Sequence, residues 1–166
     1  MIFQENVSLR GLNTFKIGGN ARYFCVVKTI EDLKGVMFFA KENKLPFFIL
    51  GGGSNTLFSD ESFGGLVIKM EMTGRLTEKR SGDVIQLSAK AGENWDESVK
   101  FAVENNLYGI ENLSGIPGTI GGAAAQNIGA YGAEVGDSIM EVEVLDISDM
   151  KVKTLNSKEC LFSYRD

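Results

Sequence analysis

An α+β fold built from two small units is the architecture that this sequence predicts. The chain has 166 residues, of which 43% are hydrophobic, and this is enough for one core or for two small lobes sharing an interface. Strand-like and helix-like segments alternate as far as residue 70, and a hairpin pattern begins after it. We therefore expect a first unit at 1–70 and a second, truncated unit at 71–166.

The first unit shows a strand–helix–strand pattern. Residues 21–27 combine aromatic and β-branched side chains, which favours a strand. Thr29 then begins a helix, and Asp32 stands where it completes a capping box. Residues 46–50 form an apolar run that predicts a buried strand, and residues 65–69 predict another. The inner face of the helix repeats with a period of about 3.6 residues and consists of Ile30, Leu33, Met37 and Ala40.

The second unit combines hairpins with two helices. The turn signal Ser81-Gly82-Asp83 joins the strands of the first hairpin. Asn94 caps a helix, and residues 120–126 predict a second, shorter one. The two hairpins comprise residues 75–80 with 84–90, and residues 139–147 with 152–155. The inner face of the first helix is predicted to hold Trp95, Val99, Ala102 and Val103.

Composition excludes several classes of function. The net charge of −5 and the lack of a basic run argue against a general nucleic-acid-binding surface. No apolar run approaches the roughly 20 residues that a membrane helix needs. The sequence has no histidine, which excludes Ser-His-Asp and Cys-His catalysis within this chain and argues against most metal sites. Cys25 and Cys160 do not make a disulfide framework, and we expect a reducing, cytoplasmic location.

A glycine-rich turn comes directly after the predicted strand at 46–50. In the sequence ILGGGSN, successive backbone N–H groups could form a concavity that binds a phosphate, and the glycines would let it approach the backbone. The turn matches neither the Rossmann dinucleotide fingerprint nor a P-loop. A plain tight turn is the structural alternative. The residues concerned are Gly51, Gly52, Gly53, Ser54 and Asn55.

A second glycine-rich segment covers residues 116–134. Pro117 fixes the backbone before Gly118, and a helix beginning near Thr119 would aim free N–H groups at an anion or an electron-rich ring. Gln126, Asn127 and Tyr131 would add directed hydrogen bonds. Close helix–strand packing is the alternative. A long ligand with a phosphate end and a flat end, such as FAD, would explain both glycine-rich segments.

Five motifs occur in an order that resembles a known family. They are NTFKIGGNA at 13–21, ILGGGSN at 49–55, ENLSGIPGTIGG at 111–122, QNIGAYGAE at 126–134 and FSYRD at 162–166. Together they resemble the UDP-N-acetylenolpyruvoylglucosamine reductases, flavoenzymes of bacterial peptidoglycan synthesis that serve cell-wall growth, cell shape and division. The resemblance implies an FAD-binding domain of the vanillyl-alcohol-oxidase or p-cresol-methylhydroxylase type, with two α+β subdomains and the flavin between them.

The resemblance also implies a reaction and its participants. NADPH would give a hydride to noncovalently bound FAD, and the reduced flavin would pass it to C3 of the enolpyruvyl group of UDP-N-acetylglucosamine enolpyruvate. Protonation at C2 would then give UDP-N-acetylmuramate. The family's proton-donating Ser and assisting Glu belong to a C-terminal, substrate-binding part that this sequence does not contain, so we expect the fragment alone to be inactive.

Individual residues take roles from the same resemblance. The family's pyrophosphate loop falls on residues 51–55. Arg165 matches an active-site arginine that would stabilise developing negative charge on the substrate carboxylate, and Tyr131 and Tyr164 would contact substrate with it. The wall beside the flavin would comprise Ile116, Pro117, Gly118, Gly121, Gly122, Ala123, Gln126, Asn127, Ile128 and Gly129.

Two other functions stay open from the sequence. One is another oxidoreductase of the same fold with noncovalent FAD, because covalent attachment commonly uses His or Cys and Cys160 lies outside the glycine-rich segments. The other is a non-catalytic module that binds a nucleotide or a partner. Releasable flavin in the purified protein would separate the two enzyme functions from the module.

Overall fold

The structure, a computed structural model, describes residues 2–80, 82 and 84–163. Its largest sheet has four strands in the order β1-β2-β4-β3. β1 runs antiparallel to β2, whereas β2, β4 and β3 are parallel to one another. The strands are β1 Gln4–Ser8, β2 Asn20–Val27, β3 Phe47–Leu50 and β4 Phe63–Met70.

Helix α1, Ile30–Glu42, covers one face of this sheet. The predicted capping box is confirmed, because the Thr29 hydroxyl accepts from the Asp32 N–H at 3.0 Å and the Asp32 carboxylate accepts from the Thr29 N–H at 3.1 Å. A hydrogen bond from the Lys28 N–H is the largest cause that holds the pKa of the Asp32 carboxyl below its usual value, and hydrogen bonds from Thr29 add to it. The buried helix residues are Leu33, Val36, Met37 and Ala40, and they pack on Cys25, Val27, Leu66 and Ile68.

The opposite face of the sheet is covered by other chain segments, which include the single 3-10 turn at Arg10–Leu12. Its buried residues alternate along the strands with those under α1, as the two-residue period of a strand requires. Because β2, β3 and β4 are parallel, their carboxyl ends meet at one edge of the sheet, and the first glycine-rich turn leaves β3 there. The cluster on this face comprises Leu9, Ala21, Phe24, Leu50 and Val67.

The prediction that residues 46–50 form a buried strand is wrong. β3 is an edge strand in which only Leu50 is buried, and Phe47, Phe48 and Ile49 are 39%, 38% and 44% exposed. The apolar run gives the strand correctly but not its place in the sheet. That place is set by β4, which pairs between β2 and β3, so that β3 has a neighbouring strand on one side only among the described residues.

The elements after residue 70 match the predicted pattern in type. The strand pairings of the two predicted hairpins are confirmed, and both are antiparallel, whereas Ser81 and Asp83 of the predicted turn lie outside the described residues. A short third hairpin, β7–β8, joins the glycine-rich region to the last hairpin of the chain. The elements are β5 Arg75–Lys79, β6 Ile85–Ala89, α2 Trp95–Glu104, α3 Ile120–Ala125, β7 Gly129–Ala130, β8 Ala133–Glu134, β9 Glu141–Asp146 and β10 Lys151–Asn156. Single 3-10 turns lie at Arg10–Leu12, Glu111–Leu113 and Val135–Asp137.

A separate apolar cluster forms around helix α2. The Asn94 side chain caps this helix by accepting from the Glu97 N–H at 3.0 Å. The predicted inner face is correct except at Val103, which is 52% exposed, while Ser98 is fully buried. The cluster comprises Trp95, Val99, Leu113, Ala123 and Val135.

Residues from both halves of the sequence contribute to the apolar cluster under α1. Leu145 of β9 and Met150, which precedes β10, pack against it together with Met72. The division into units at 1–70 and 71–166 stays a prediction. Within the part of the chain that the structure describes, no helix has the length and apolar character that crossing a bilayer requires.

Candidate functional site

The two glycine-rich segments predicted from the sequence lie against each other. The Ser54 hydroxyl donates to the Pro117 carbonyl at 2.9 Å, and the Asn55 side-chain amide donates to Gln126 Oε1 at 2.5 Å. The partners are 63 and 71 residues apart in the chain. The prediction that the segments fold together is confirmed, and we call the line of contacts between residues 51–55 and 117–126 the seam.

Bare backbone brings the segments this close. A Cβ placed on Gly52 would lie 3.0 Å from Gly118 Cα, and one on Gly51 would lie 2.8 Å from Thr119 Oγ1. A side chain on Gly52 would need the facing backbone to give by a few tenths of an ångström, and one on Gly51 would need the Thr119 hydroxyl to move. The segments touch directly, so a ligand that contacts both would lie along the seam rather than bridge a gap between them.

A row of backbone donors lines the first segment. The backbone N–H groups of residues 51–55 have no hydrogen-bond acceptor among the described residues. The N–H groups of Gly118 and Thr119, across the seam, likewise have none there. Backbone N–H groups are strong donors that folded proteins seldom leave without partners, and several in one turn create an anion-binding concavity. The five donors belong to Gly51, Gly52, Gly53, Ser54 and Asn55.

The backbone at 12–14 fixes the conformation of this turn. Gly53 is buried with φ +74°, and its carbonyl accepts from the Thr14 N–H at 3.1 Å. A Cβ on Gly53 would stand 2.1 Å from the Leu12 carbonyl oxygen, so only glycine fits. Asn13 holds the neighbouring backbone, since its side-chain amide donates to the Leu9 and Ile17 carbonyls at 2.7 and 2.8 Å.

Helix α2 anchors the start of the second segment. The Asp96 carboxylate, in the first turn of α2, accepts from the Gly115 N–H at 2.6 Å and from the Ser114 hydroxyl at 2.7 Å. These two bonds, the first being the larger cause, lower the pKa of the Asp96 carboxyl. The Trp95 backbone N–H also donates to the Gly118 carbonyl at 3.1 Å, so the segment is fixed where it reaches the seam.

The expectation of free N–H groups at the start of the short helix is wrong. The N–H groups of Ile120 and Gly121 donate to the carbonyls of Glu93 and Ala91, both at 2.9 Å. The Gly122 N–H faces the hydroxyl of Thr119, the capping residue, at 3.4 Å. The N–H groups of Gly118 and Thr119, which precede this helix, are the ones that have no acceptor among the described residues.

Side chains of the predicted flavin wall divide into two groups. Ala123 is buried, and Ile116 and Ile128 pack with it against the cluster around Trp95. Gly122, by contrast, is open: a Cβ there would meet only Thr119 Oγ1, at 3.5 Å. Any contact of the wall with a flat ring would therefore use backbone and small residues rather than the isoleucine side chains.

Asn127 has a structural place that the sequence did not reveal. It is 3% exposed with φ +41°, and its Nδ2 donates to Glu134 Oε2 at 2.7 Å and to the Ser163 carbonyl at 3.0 Å. Its Oδ1 accepts from the Gly136 N–H at 2.9 Å. The amide is thus committed to protein partners, which leaves it unsuited to the directed hydrogen bond to a ligand that we expected.

Of the three residues that we expected to contact substrate, the structure describes only Tyr131. Tyr131 lies with Gly132 at the tip of the β7–β8 hairpin, where φ values of +54° and +82° form a tight two-residue turn. The Tyr131 side chain is 94% exposed. Gly129 is paired with Glu134 in the same hairpin. Tyr164 and Arg165 lie outside the described residues.

Lys69 is a site neighbour that sequence reasoning missed. Its ammonium donates to the Gly51 carbonyl at 2.5 Å from the carboxyl end of β4. Partial burial lowers the pKa of the Lys69 side chain, an effect that the nearby Glu71 charge opposes. The local signal of it is a lysine that interrupts the apolar run GLVIKM, but its contact with the first glycine-rich segment depends on the pairing of β3 with β4.

Comparison with known proteins agrees with this geometry. The family model described as the FAD binding domain matches residues 21–156. The UDP-N-acetylenolpyruvoylglucosamine reductase of Amoebophilus asiaticus is 43% identical over 166 residues, which is 100% of this chain and 49% of that protein. The chain thus spans about half the length of the curated relatives it matches.

Solved structures show the same fold. The UDP-N-acetylenolpyruvylglucosamine reductase of Thermus caldophilus superposes with a TM-score of 0.77 at 29% identity, covering 99% of this chain and 56% of that one. A VAO-type flavoprotein from Myceliophthora thermophila superposes with a TM-score of 0.60 at 18% identity, covering 82% of this chain and 26% of that one. The predicted α+β fold of the vanillyl-alcohol-oxidase type is confirmed, and the chain belongs to the family of FAD binding domains.

Proposed function

We propose that this chain is the FAD-binding part of a UDP-N-acetylenolpyruvoylglucosamine reductase. The observation that carries the proposal is the row of five backbone N–H groups at 51–55, which have no acceptor among the described residues and which line the seam. The choice of reaction is supported by the reductases that this chain matches over about half of their length. Both the activity of the whole protein and its cytoplasmic location belong to this proposal.

The first segment would hold the diphosphate of the dinucleotide. Its donors are backbone N–H groups, which bind an anion without any basic side chain in the turn. Gly52 and Gly118 are in direct contact, so the diphosphate would lie along the edge of the seam rather than between them. Gly51, Gly53, Ser54 and Asn55 complete this proposed phosphate site.

The second segment would lie beside the ribityl chain and the flavin ring. Gly122 has room above it, and its neighbours Gly121 and Ala123 are small, so a flat group could approach the backbone there. Binding is proposed to be noncovalent. The sequence has no histidine, and Cys160 lies outside both glycine-rich segments. The proposed wall also includes Ile116, Pro117, Gly118, Gln126, Asn127, Ile128 and Gly129.

When bound, FAD would take a hydride from NADPH and supply it to C3 of the enolpyruvyl group of the substrate. Arg165 is proposed to hold the substrate carboxylate and to stabilise the negative charge that develops on it. Tyr131, on its exposed hairpin tip, and Tyr164 are proposed to contact the sugar nucleotide. The product would be UDP-N-acetylmuramate for peptidoglycan synthesis.

The first test is whether the purified chain carries or takes up flavin. The chain is incubated with FAD and desalted, and its visible absorbance is recorded before and after acid precipitation. We expect one FAD per chain, released intact into the acid supernatant. A chain that stays colourless after reconstitution would favour a non-catalytic module instead, and flavin that remains in the pellet would contradict noncovalent binding.

A variant at Gly122 tests the position of the flavin. Gly122→Leu adds a side chain into open space in the helix, so the apo fold should survive, whereas the space beside the seam is filled. Gly64→Leu is the matched control, because Gly64 is exposed at the start of β4 with nothing within 4 Å of its added Cβ. We expect Gly122→Leu to lose bound FAD and Gly64→Leu to keep it. Full flavin stoichiometry in Gly122→Leu would place the ring elsewhere.

A further inference from the structure

Lys69 is the feature of the site that neither the glycine-rich segments nor the family resemblance explains. It stands next to the apolar run Leu66–Ile68 near the end of β4, a strand whose other central residues are buried. Its neighbours across the sheet are Val26 on β2 and Leu50 on β3. A cation in this position loses some hydration, so it needs a compensating partner.

The partner that the structure gives Lys69 is the backbone of the first glycine-rich segment. Lys69 Nζ donates to the Gly51 carbonyl at 2.5 Å. No carboxylate of the described residues lies within 4.0 Å of this ammonium, although ion pairs form elsewhere in the chain. The positive charge is therefore not neutralised by an ion pair within the described structure, and it is bonded to the carbonyl of Gly51, the first residue of the segment with the unpartnered N–H groups.

We infer that Lys69 is a positioning residue for the diphosphate of the bound dinucleotide. Its hydrogen bond to the Gly51 carbonyl fixes the turn in a conformation whose backbone N–H groups stay free to bind the diphosphate. Its ammonium also adds a full positive charge to the partial positive charges of those N–H groups. This inference rests on the proposed function, because it names the charge that completes the phosphate site of FAD. Lys69 is not expected to contact the flavin ring.

The reason for a lysine at this point is electrostatic. A dinucleotide diphosphate carries two negative charges, and the whole chain has a net charge of −5, so binding without a local cation would be opposed by the field of the protein. The first segment itself contains no basic residue. A half-buried ammonium also acts more strongly than a solvated one, because the surrounding protein screens it less than water does.

The experiment compares Lys69→Met and Lys69→Arg with the wild-type chain and with Lys41→Met. Methionine keeps the apolar stem of lysine without its charge, and arginine restores the charge. Lys41 is exposed on α1, on the other face of the sheet, and is the matched control. FAD affinity is measured for each by flavin fluorescence at about 0.1 M and about 1 M NaCl, between which the Debye length falls from about 10 to about 3 Å. Thermal midpoints of the apo chains are measured in parallel.

We expect Lys69→Met to weaken FAD binding by about 10- to 100-fold at low salt, as loss of a charged hydrogen-bonding partner predicts. The deficit should shrink at high salt, while Lys69→Arg and Lys41→Met should stay within about threefold of the wild type.

Two results would overturn the inference while leaving the proposed function intact. One is a Lys69→Met chain that binds FAD as tightly as the wild type. The other is a loss of affinity that is the same at both salt concentrations and is accompanied by a lower apo midpoint, which would make Lys69 a purely structural tie. A wild-type chain that binds no FAD would overturn both the proposed function and this inference.

Discussion

Gly53 lies where the first glycine-rich segment contacts the backbone of residues 12–14. Replacing Gly53 tests whether this contact makes glycine necessary at that position. Gly53→Ala adds a methyl group 2.1 Å from the Leu12 carbonyl oxygen and 3.0 Å from Asn13 Cα, at a backbone φ of +74°. Gly82 provides the control, because its φ is +70° and nothing lies within 4 Å of an added Cβ. The two variants share the backbone strain, but only one meets a crowded site.

The magnitude is the sum of separate contributions. A left-handed conformation costs alanine about 1–2 kcal/mol at either position. At Gly53 the 12–13 backbone must also move, which weakens the bond from the Thr14 N–H to the Gly53 carbonyl and one or both bonds of the Asn13 amide, about 1 kcal/mol each. We therefore expect Gly53→Ala to lose about 3–5 kcal/mol of the free energy of unfolding and Gly82→Ala to lose about 1–2 kcal/mol.

Urea denaturation of both variants and the wild type, extrapolated to water, measures these free energies. We expect a difference of about 2–3 kcal/mol between the two alanine variants. Losses that agree to within about 0.5 kcal/mol would refute the claim that contact with the 12–13 backbone, rather than the φ value, makes glycine necessary at position 53.

Two further predictions concern the cores. Trp95→Phe removes the indole N–H that donates to the Leu113 carbonyl at 2.8 Å, so it should lower the free energy of unfolding by about 1–3 kcal/mol in the same urea assay; an unchanged value would contradict the role of this bond. Burial raises the pKa of the Cys25 thiol from 9.0 to about 11, with a smaller contribution from the Asp32 charge. The unfolded thiol therefore releases its proton first as the pH rises above 9.0, and wild-type stability should fall relative to that of Cys25→Ala by up to about 1.4 kcal/mol per pH unit until about pH 11. If the free energies of unfolding of the two proteins change with pH by the same amount over that range, the buried thiol does not titrate as described.

Local signals in the sequence are enough to predict most of the elements. The capping box of Thr29 and Asp32 and the Asn94 cap each need only residues three positions apart, and both helices begin where those signals place them. The hairpins are predicted by alternation and a turn signal. β1 is missed because its residues are mostly polar and exposed, so that pairing with β2 rather than an apolar pattern makes it a strand.

The features that the sequence could not predict depend on contacts between distant segments. The exposure of β3 is a result of the strand order, which residues 46–50 do not encode by themselves. The N–H groups of Ile120 and Gly121 are not free, because their acceptors, the carbonyls of Glu93 and Ala91, belong to a part of the chain that precedes α2. The amide of Asn127 likewise finds its partners at Glu134 of β8, at Gly136 just after β8 and at Ser163.

The candidate site was predictable in its chemistry but not in its arrangement. Glycine spacing indicated two backbone surfaces for one ligand, and the structure brings those surfaces into direct contact through Ser54 and Pro117. Nothing in the local sequence indicated that Lys69 would bind the carbonyl of Gly51, because the two residues meet only through the pairing of β3 with β4.

The most direct test of FAD binding at the seam observes the backbone amides themselves. Two-dimensional ¹H–¹⁵N spectra of the labelled chain are recorded while FAD is added, with the amide of Gly64, at the start of β4, as the internal control. We predict saturable shifts that end at one FAD per chain and that are largest for the amides of residues 51–55 and for Gly118 and Thr119, with little change at Gly64. Saturable FAD binding that leaves the amides of 51–55 unmoved would contradict the proposed phosphate site.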